Sequence, residues 1–261
     1  MGRILLWEFG KLIRLRSVQI GVVAAALLPF LWAIAPGLRE AYDLKQVLSA
    51  WQLPAFSLRT GMDFLFPFLT ALAAGEVLGY EASIGTLKSL LLRPNPRWRI
   101  LLAKLFMVLL IPILLVLSSL LGSLITGIPY GFGSFTGGTG LVGYDPSTAF
   151  VGSGYLSVGQ AILEVLRAHA LAAIILWPIA VLSLLYCVVF LSTTSAALAA
   201  LSTFLLMRLL VAFPALQPFL LTSYLGIYLD PSNLKVGLML LFIYVVGFAG
   251  LAILSFERKD V

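Results

Sequence analysis

The chain has 261 residues, of which 61% are hydrophobic and 11% are charged, and its mean hydropathy is +1.07. Soluble domains are roughly 45–50% apolar and about 25% charged, so this composition excludes a soluble globular protein and predicts a chain that lies mostly in lipid. The net charge of +6 does not indicate nucleic-acid binding, because the basic residues cluster at the ends of apolar segments, where they orient membrane spans. The one cysteine, Cys187, supports neither a disulfide framework nor a metal site.

Residues 1–16 predict an amphipathic helix that lies in the membrane interface. At about 100° per residue, the apolar side chains fall on one side of this helix and the basic ones on the other. The apolar side holds Leu5, Leu6, Phe9, Leu12 and Ile13, and the opposite side holds Arg3, Trp7, Lys11 and Arg14. Such a helix turns its basic face toward anionic headgroups. The alternative is a basic flank with no fixed helix.

Six apolar segments are long enough to cross a bilayer as helices, which takes about 20 residues each. They are Ser17–Pro36, Gly61–Tyr80, Leu101–Ile125, Ala168–Leu191, Ala196–Pro214 and Lys235–Phe256, and the fourth could begin as early as Val158. The first could be a signal peptide, but its length and the spans that follow favour a retained helix. The sequence therefore predicts an all-α membrane protein with a single transmembrane domain over residues 1–261.

Lysine and arginine residues predict which ends of the spans face the cytoplasm. With the N-terminus inside, eleven of them lie on the inner side and four on the outer side, a bias that places both termini in the cytoplasm. On the outer side, residues 37–60 are expected to be partly helical. Residues 127–159 form a glycine-rich loop that caps the outer mouth, dips into the interface or has no direct role. Residues 215–233 are apolar but too short to cross, which predicts a re-entrant hairpin before the last span.

The chain lacks the common sequence patterns of catalytic and nucleotide-binding sites. It contains no HExxH, GxSxG, CxxC or P-loop pattern, so we predict no catalytic residue, no metal site and no cofactor in this chain. Glu76 and Arg208 are the candidate intramembrane polar residues. We expect Glu76 to hydrogen-bond within the bundle, and Arg208 to reach outward or to pair with an acid of the outer half such as Asp63, Glu164 or Asp230.

One further polar group leaves two other functions open. Glu164, Arg167 and His169 lie close together in sequence and could serve an intramembrane enzyme that acts on lipid, although an interfacial histidine at a helix end is the alternative. An ATP-independent carrier is also open. Such carriers generally show more ionisable residues in their spans and internal repeats, and no repeat is evident in this sequence.

Small residues predict close helix packing along the second span. Ala71, Gly75, Gly79 and Ser83 recur every four positions, which places them in one stripe of the helix.

The stripe leads into the one basic, proline-punctuated segment between two long apolar stretches, residues 81–104. Its five basic residues against Glu81 give a net charge of +4. Glu81, Gly85 and Lys88 share one helical face, with an adjoining apolar face beside it. Gly85 permits a break in the helix or the close approach of another backbone. A plain positive loop would explain the charges but not the ordered apolar face.

At these residues the chain resembles a permease subunit of the ABC-2 family of ATP-binding-cassette exporters. The matching pattern is Glu81, Gly85-Thr86-Leu87-Lys88, a leucine run at 90–92, Arg93-Pro94, Arg97 and Lys104. The six spans, the basic amphipathic N-terminus, the hairpin before the last span and the polar ending at 256–260 fit this family as well.

The resemblance implies an exporter permease in the cell membrane that is driven by a separate cytoplasmic ABC ATPase. The ATPase, with its ATP and magnesium, would dock on a coupling segment at residues 81–100, and two permeases would pair as a homodimer or a heterodimer. The residues implied in coupling are Glu81, Ile84, Gly85, Thr86, Leu87, Lys88 and Leu91. The residues implied in membrane-surface anchoring are Arg93, Arg97, Arg99 and Lys104.

Overall fold

The computed structural model describes residues 2–34, 49–87, 96–141, 155–229 and 234–259. The α-helices in these ranges are α1 (Gly2–Leu12), α2 (Arg16–Ile34), α3 (Leu53–Thr60), α4 (Phe66–Ser83), α5 (Arg97–Gly127), α6 (Val158–Ile175), α7 (Trp177–Phe190), α8 (Thr193–Leu210) and α9 (Leu234–Glu257). One small antiparallel hairpin pairs β1 (Phe135–Thr136) with β2 (Tyr155–Leu156).

Five helical stretches are long and apolar enough to cross a membrane. They are Ala50–Ser83, Arg97–Tyr130, Val158–Phe190, Thr193–Leu210 and Leu234–Glu257. A sixth is present if α1 and α2, which meet at a bend of 62°, count as one span. The predicted all-α, multi-pass membrane protein is confirmed, and the fourth span does begin at Val158. The interfacial position of α1 stays a prediction, with which this bend is compatible.

The second span is longer than the sequence predicted. A 3-10 turn at Ala50–Gln52, α3, a π-helical turn at Gly61–Leu65 and α4 form one stretch of 34 residues. At 1.5 Å per residue this stretch is about 51 Å long, well beyond the ~30 Å hydrocarbon core. The stretch is therefore longer than one crossing requires, and its helix Leu53–Thr60 lies within residues 37–60, which were expected to be partly helical.

The described parts of the glycine-rich loop pack on the start of this long helix. The Trp51 indole N–H donates to the Phe132 carbonyl at 3.1 Å, and the Gln52 side-chain amide donates to the Gly138 carbonyl at 3.1 Å. The Trp51 and Phe132 rings meet edge to face at 5.2 Å. Residues 142–154 lie outside the described ranges, and the role of the loop stays a prediction.

The segment predicted as a re-entrant hairpin is irregular as far as Leu229. It contains two 3-10 helices, Gln217–Phe219 and Leu221–Tyr224, joined by turns. No α-helix lies between residues 211 and 229, and residues 230–233 are outside the described ranges. Re-entry into the membrane stays a prediction.

Small residues bring α4 against α7 and α8, as their spacing indicated. The Ser183 hydroxyl of α7 donates to the Ala71 carbonyl at 2.6 Å. The Cys187 thiol of the same helix donates to the Gly75 carbonyl at 3.2 Å. A Cβ on Gly79 would lie 2.8 Å from the Thr193 backbone nitrogen at the start of α8. The backbone of α4 is therefore in direct contact with its neighbours along this stripe.

Candidate coupling site

Many of the charged residues that the structure describes converge at one end of the helix bundle, which we call the basic end. It comprises residues 8–17, 76–87, 97–104 and 257–259, which hydrogen bonds and ion pairs connect to one another. The predicted coupling segment begins here, directly after α4.

A buried charge cluster of Glu8, Lys11, Glu81 and Lys104 forms the centre of the basic end. The Lys104 ammonium lies 2.8 Å from Glu81 Oε2 and 3.2 Å from Glu8 Oε2. The Lys11 ammonium lies 2.5 Å from Glu81 Oε1 and 3.0 Å from Glu8 Oε1. Each carboxylate is therefore shared between two ammonium groups. The cluster joins α1, the end of α4 and the start of α5.

The family resemblance implied that Lys104 anchors α5 at the membrane surface, but the structure places this residue in the interior of the protein. Its side chain is 0% exposed and also donates to the Val77 carbonyl at 3.1 Å. A fully buried ammonium is costly unless it is paired and hydrogen-bonded, and here the two carboxylates and one carbonyl meet that need. Lys104 is buried because the carboxylates of Glu8 and Glu81 lie inside the protein, within ion-pair distance of its ammonium group.

Glu81 is similarly enclosed, with 8% of its side chain exposed. Both of its oxygens point toward ammonium groups within the bundle. Any part that Glu81 plays in coupling would therefore be to hold the segment in place, since little of the side chain is available to another protein.

Glu8 is the member of the cluster that the sequence analysis missed. Its side chain is 5% exposed, and it lies on the face of α1 that packs on the bundle together with the buried Leu12. The signal was present: an acid stands four residues before Leu12, on the apolar side of the helix. The apolar side of α1 is not buried throughout. Leu12 packs on the bundle, whereas Leu6 and Ile13 are exposed, where lipid would contact them.

Glu76 hydrogen-bonds within the bundle, as predicted. Its Oε2 accepts from the Ser17 backbone N–H at 3.0 Å and from the Ser17 hydroxyl. Ser17 stands in the first turn of α2, where backbone N–H groups lack helical partners and the helix dipole favours a negative charge. The carboxylate on α4 therefore caps α2 and fixes the two spans at this end.

The helix breaks sharply near the start of the coupling segment. Gly85 has φ +75°, and a Cβ built on it would meet nothing within 4 Å. Ile84, immediately before it, has 53% of its surface exposed, whereas Leu87 is buried. The Thr86 hydroxyl donates to the Glu81 carbonyl at 3.3 Å. The predicted helix break is present, with an exposed apolar side chain beside it.

The arginines at the start of α5 have different surroundings. The Arg97 guanidinium donates to the Lys259 carbonyl at 2.8 Å and to the Glu257 carbonyl at 3.4 Å, so it satisfies the C-terminal end of α9. Arg99 is exposed, with its guanidinium 5.2 Å from the centre of the Trp98 ring. Arg99 therefore fits the predicted surface position, and Arg97 binds protein. Lys88, Leu91 and Arg93 lie outside the described residues.

Lys259 connects the last helix to α7. Its ammonium donates to the Val188 carbonyl at 2.6 Å and also to the Val189 carbonyl. These carbonyls lie in the last turn of α7, where they lack helical partners and a cation is favourable. The C-terminal segment thus closes the basic end.

At the opposite end, Arg208 binds Asp63, one of the three partners predicted for it. The guanidinium donates to the Asp63 carbonyl and lies 3.5 Å from the Asp63 carboxylate. Both side chains are exposed, at 48% and 66%. The pair joins α8 to the π-helical turn that precedes α4.

Glu164, Arg167 and His169, considered for an intramembrane enzyme, form no hydrogen bond or ion pair with one another. Glu164 accepts from the Thr139 hydroxyl at 2.6 Å, and Arg167 is exposed. His169 is buried, with its Nδ1 2.7 Å from the Val165 carbonyl of its own helix. No group of three or more potential metal ligands occurs in the part of the chain that the structure describes.

Comparison with known proteins gives one family. A family model described as "ABC-2 family transporter protein" matches residues 4–158, more than half of the chain. The matched region contains the whole charge cluster, the helix break at Gly85 and the start of α5. No curated protein matches the chain.

Proposed function

The chain belongs to the ABC-2 transporter family, and from this premise we propose that it is the permease of an exporter driven by a separate ABC ATPase. Hydrolysis of ATP, with its magnesium, belongs to the ATPase, and this chain would supply no catalytic residue. A second permease would complete the path through the membrane. The positive-inside bias supports a cell-membrane location with both termini in the cytoplasm, on the same side as the basic end.

The observation that carries the proposal is the exposed break at Ile84 and Gly85 directly beside the buried charge cluster. A soluble partner can contact Ile84, since its apolar side chain lies outside the bundle. The residues just before it are held by Glu81 to α1 and α5. A displacement imposed on the segment would therefore reach several spans together. Coupling of this kind requires an element with two arrangements that both sites bias, and residues 84–87 are our candidate for it.

The two alternative functions receive less support. An enzyme acting on lipid would need Glu164, Arg167 and His169 to face one cavity, and they have separate surroundings. An ATP-independent carrier would not require the exposed segment after α4.

The substitution Ile84→Asp tests the docking of the ATPase. Loss of an apolar interface anchor typically costs about 2 kcal/mol, or about 30-fold in Kd. We expect the purified full-length variant to bind a candidate ABC ATPase from the same genome correspondingly more weakly, and to stimulate its ATP hydrolysis less in proteoliposomes. Folding should be retained, because Ile84 is exposed.

Ile128→Asp is the matched control. Ile128 is also exposed but follows the far end of α5, away from the basic end. Binding and ATPase stimulation should be unchanged in this variant. Equal binding by the Ile84→Asp, Ile128→Asp and unaltered chains would refute docking at the segment after α4.

A further inference from the structure

The basic end contains a cavity that has Ile84 and Thr86 of the coupling segment in its lining. It has a volume of about 700 Å³ and lies between α1, the start of α2 and the end of α4. This volume is within the range of about 300–1,000 Å³ that ligand pockets typically have. Most of its lining surface is apolar, with side chains such as Leu15, Val77 and Met107, and six charged side chains also line it.

Two guanidinium groups of the cavity have no partner among the residues that the structure describes. Arg14 and Arg16 line it, and neither side chain forms a hydrogen bond or an ion pair with the residues that the structure describes. Lys11 also lines it, but its ammonium is held by both carboxylates of the charge cluster. Among the described residues of the lining, the cationic groups without an ion pair are therefore these two arginines.

The carboxylates that line the cavity are already bound. Glu8 and Glu81 are ion-paired with the ammonium groups of Lys11 and Lys104, and Glu76 caps α2 through Ser17. Counted with Lys104, the cavity has four cations and three carboxylates. One positive charge is left over, which a ligand with a single negative charge would balance. Guanidinium groups bind phosphate oxygens in a two-pronged geometry.

The surface beside the cavity suits an acyl chain. Trp7 and Tyr80 stand in the lining and are about half exposed, as aromatic residues often are at headgroup level. From Arg16, a stripe of exposed apolar side chains runs along α2 at helical spacing, and it consists of Ile20, Val23, Leu27 and Leu31. A ligand with its charged head at Arg16 could therefore lay a hydrocarbon tail along this stripe.

We propose that the cavity between α1, α2 and α4 binds the headgroup of an anionic phospholipid, with its phosphate at Arg14 and Arg16 and an acyl chain along α2. The bound lipid fills the space between the interfacial helix and the coupling segment. This site does not depend on transport activity, and lipid binding alone tests it.

The experiment measures quenching of Trp7 by brominated lipid. The full-length chain is reconstituted in vesicles of phosphatidylcholine that contain increasing fractions of phosphatidylglycerol brominated near the headgroup end of one acyl chain. A parallel series uses brominated phosphatidylcholine. The signal of Trp7 is the difference between each protein and the same protein with Trp7→Phe. We expect Trp7 to be quenched at a much lower fraction of phosphatidylglycerol than of phosphatidylcholine.

The double variant Arg14→Gln/Arg16→Gln locates the preference. Each basic residue near an anionic surface contributes about fivefold in affinity, so the variant should lose up to about 25-fold of the preference for phosphatidylglycerol. Arg14→Lys/Arg16→Lys should keep much of it. The matched control Arg99→Gln/Arg258→Gln removes the same charge from exposed positions at the same end, outside the cavity, and should keep the preference.

Three results would overturn the proposal. Equal quenching of Trp7 by the two lipids would mean that a protein segment or water occupies the cavity. An equal loss of preference in the control pair would mean that the lipid responds to overall charge alone. Release of the quenching by millimolar inorganic phosphate would mean that the arginines bind a free anion.

Discussion

Replacing Lys104 with methionine would keep an unbranched side chain that is one atom shorter and remove its charge. Glu8 and Glu81 would then share Lys11 alone, whose side chain is 33% exposed, in place of a Lys104 ammonium that is 0% exposed. The carbonyl of Val77 would also lose its donor. Breaking a buried ion pair by removing one partner typically costs about 3–5 kcal/mol, because a charge is left buried without compensation. We expect Lys104→Met to lower the free energy of unfolding by about this amount.

Thermal unfolding of the purified chain in detergent measures this effect. At about 2–4 °C per kcal/mol for a chain of this size, the midpoint should fall by about 6–20 °C. Arg99→Met is the matched control, since Arg99 lies one and a half helical turns earlier in α5 and is exposed, and its midpoint should change little.

A second variant separates lost charge from lost packing. Adding Glu8→Gln and Glu81→Gln to Lys104→Met removes the uncompensated carboxylates, so the midpoint should recover by at least half. A Lys104→Met chain as stable as the unaltered protein would refute the interpretation of the cluster. So would a triple variant no more stable than Lys104→Met.

Two further substitutions test helix packing and the ion pair at the opposite end. Gly122→Ala should lower the free energy of unfolding by about 1–3 kcal/mol, as overpacking does, because the added methyl group would overlap the Ala26 carbonyl of α2. The control Gly10→Ala, whose added methyl group meets nothing within 4 Å, should leave the free energy of unfolding unchanged. Equal midpoints of thermal unfolding for the two variants would contradict the contact between Gly122 and Ala26. Arg208→Gln should lower the free energy of unfolding by no more than about 1 kcal/mol, since the ion pair of Arg208 with Asp63 is exposed. A larger loss, measured by thermal unfolding in detergent, would contradict the exposure of this pair.

The parts of the fold that depend on local pattern were predictable from the sequence. The lengths of the apolar segments predicted the spans. The four-residue spacing of Ala71, Gly75 and Gly79 predicted the face of α4 that packs closely on its neighbours. The break at Gly85 followed from glycine's access to positive φ. Each of these features is determined by a few neighbouring residues.

The pairing of residues within the charge cluster was not predictable, because its members come from parts of the chain that are distant in sequence. Glu8 and Lys104 are separated by 96 positions, and a basic residue at the start of an apolar run ordinarily indicates a membrane-surface anchor. Only the packing of α1 against α5 puts a carboxylate within 3.2 Å of that ammonium. The contact of Gly122 with α2 was hidden for the same reason, since a lone glycine in a long helix does not indicate which neighbour it meets.

The cluster and the glycine divide the basic end into a rigid part and a joint. Four charges that share their partners cannot separate without leaving one of them unpaired, so α1, the end of α4 and the start of α5 should move together. Gly85, in contrast, adopts φ +75° in open space, where the backbone can rotate with little steric cost. A partner acting on the segment after α4 would therefore meet a hinge first and then three helices that move as one unit.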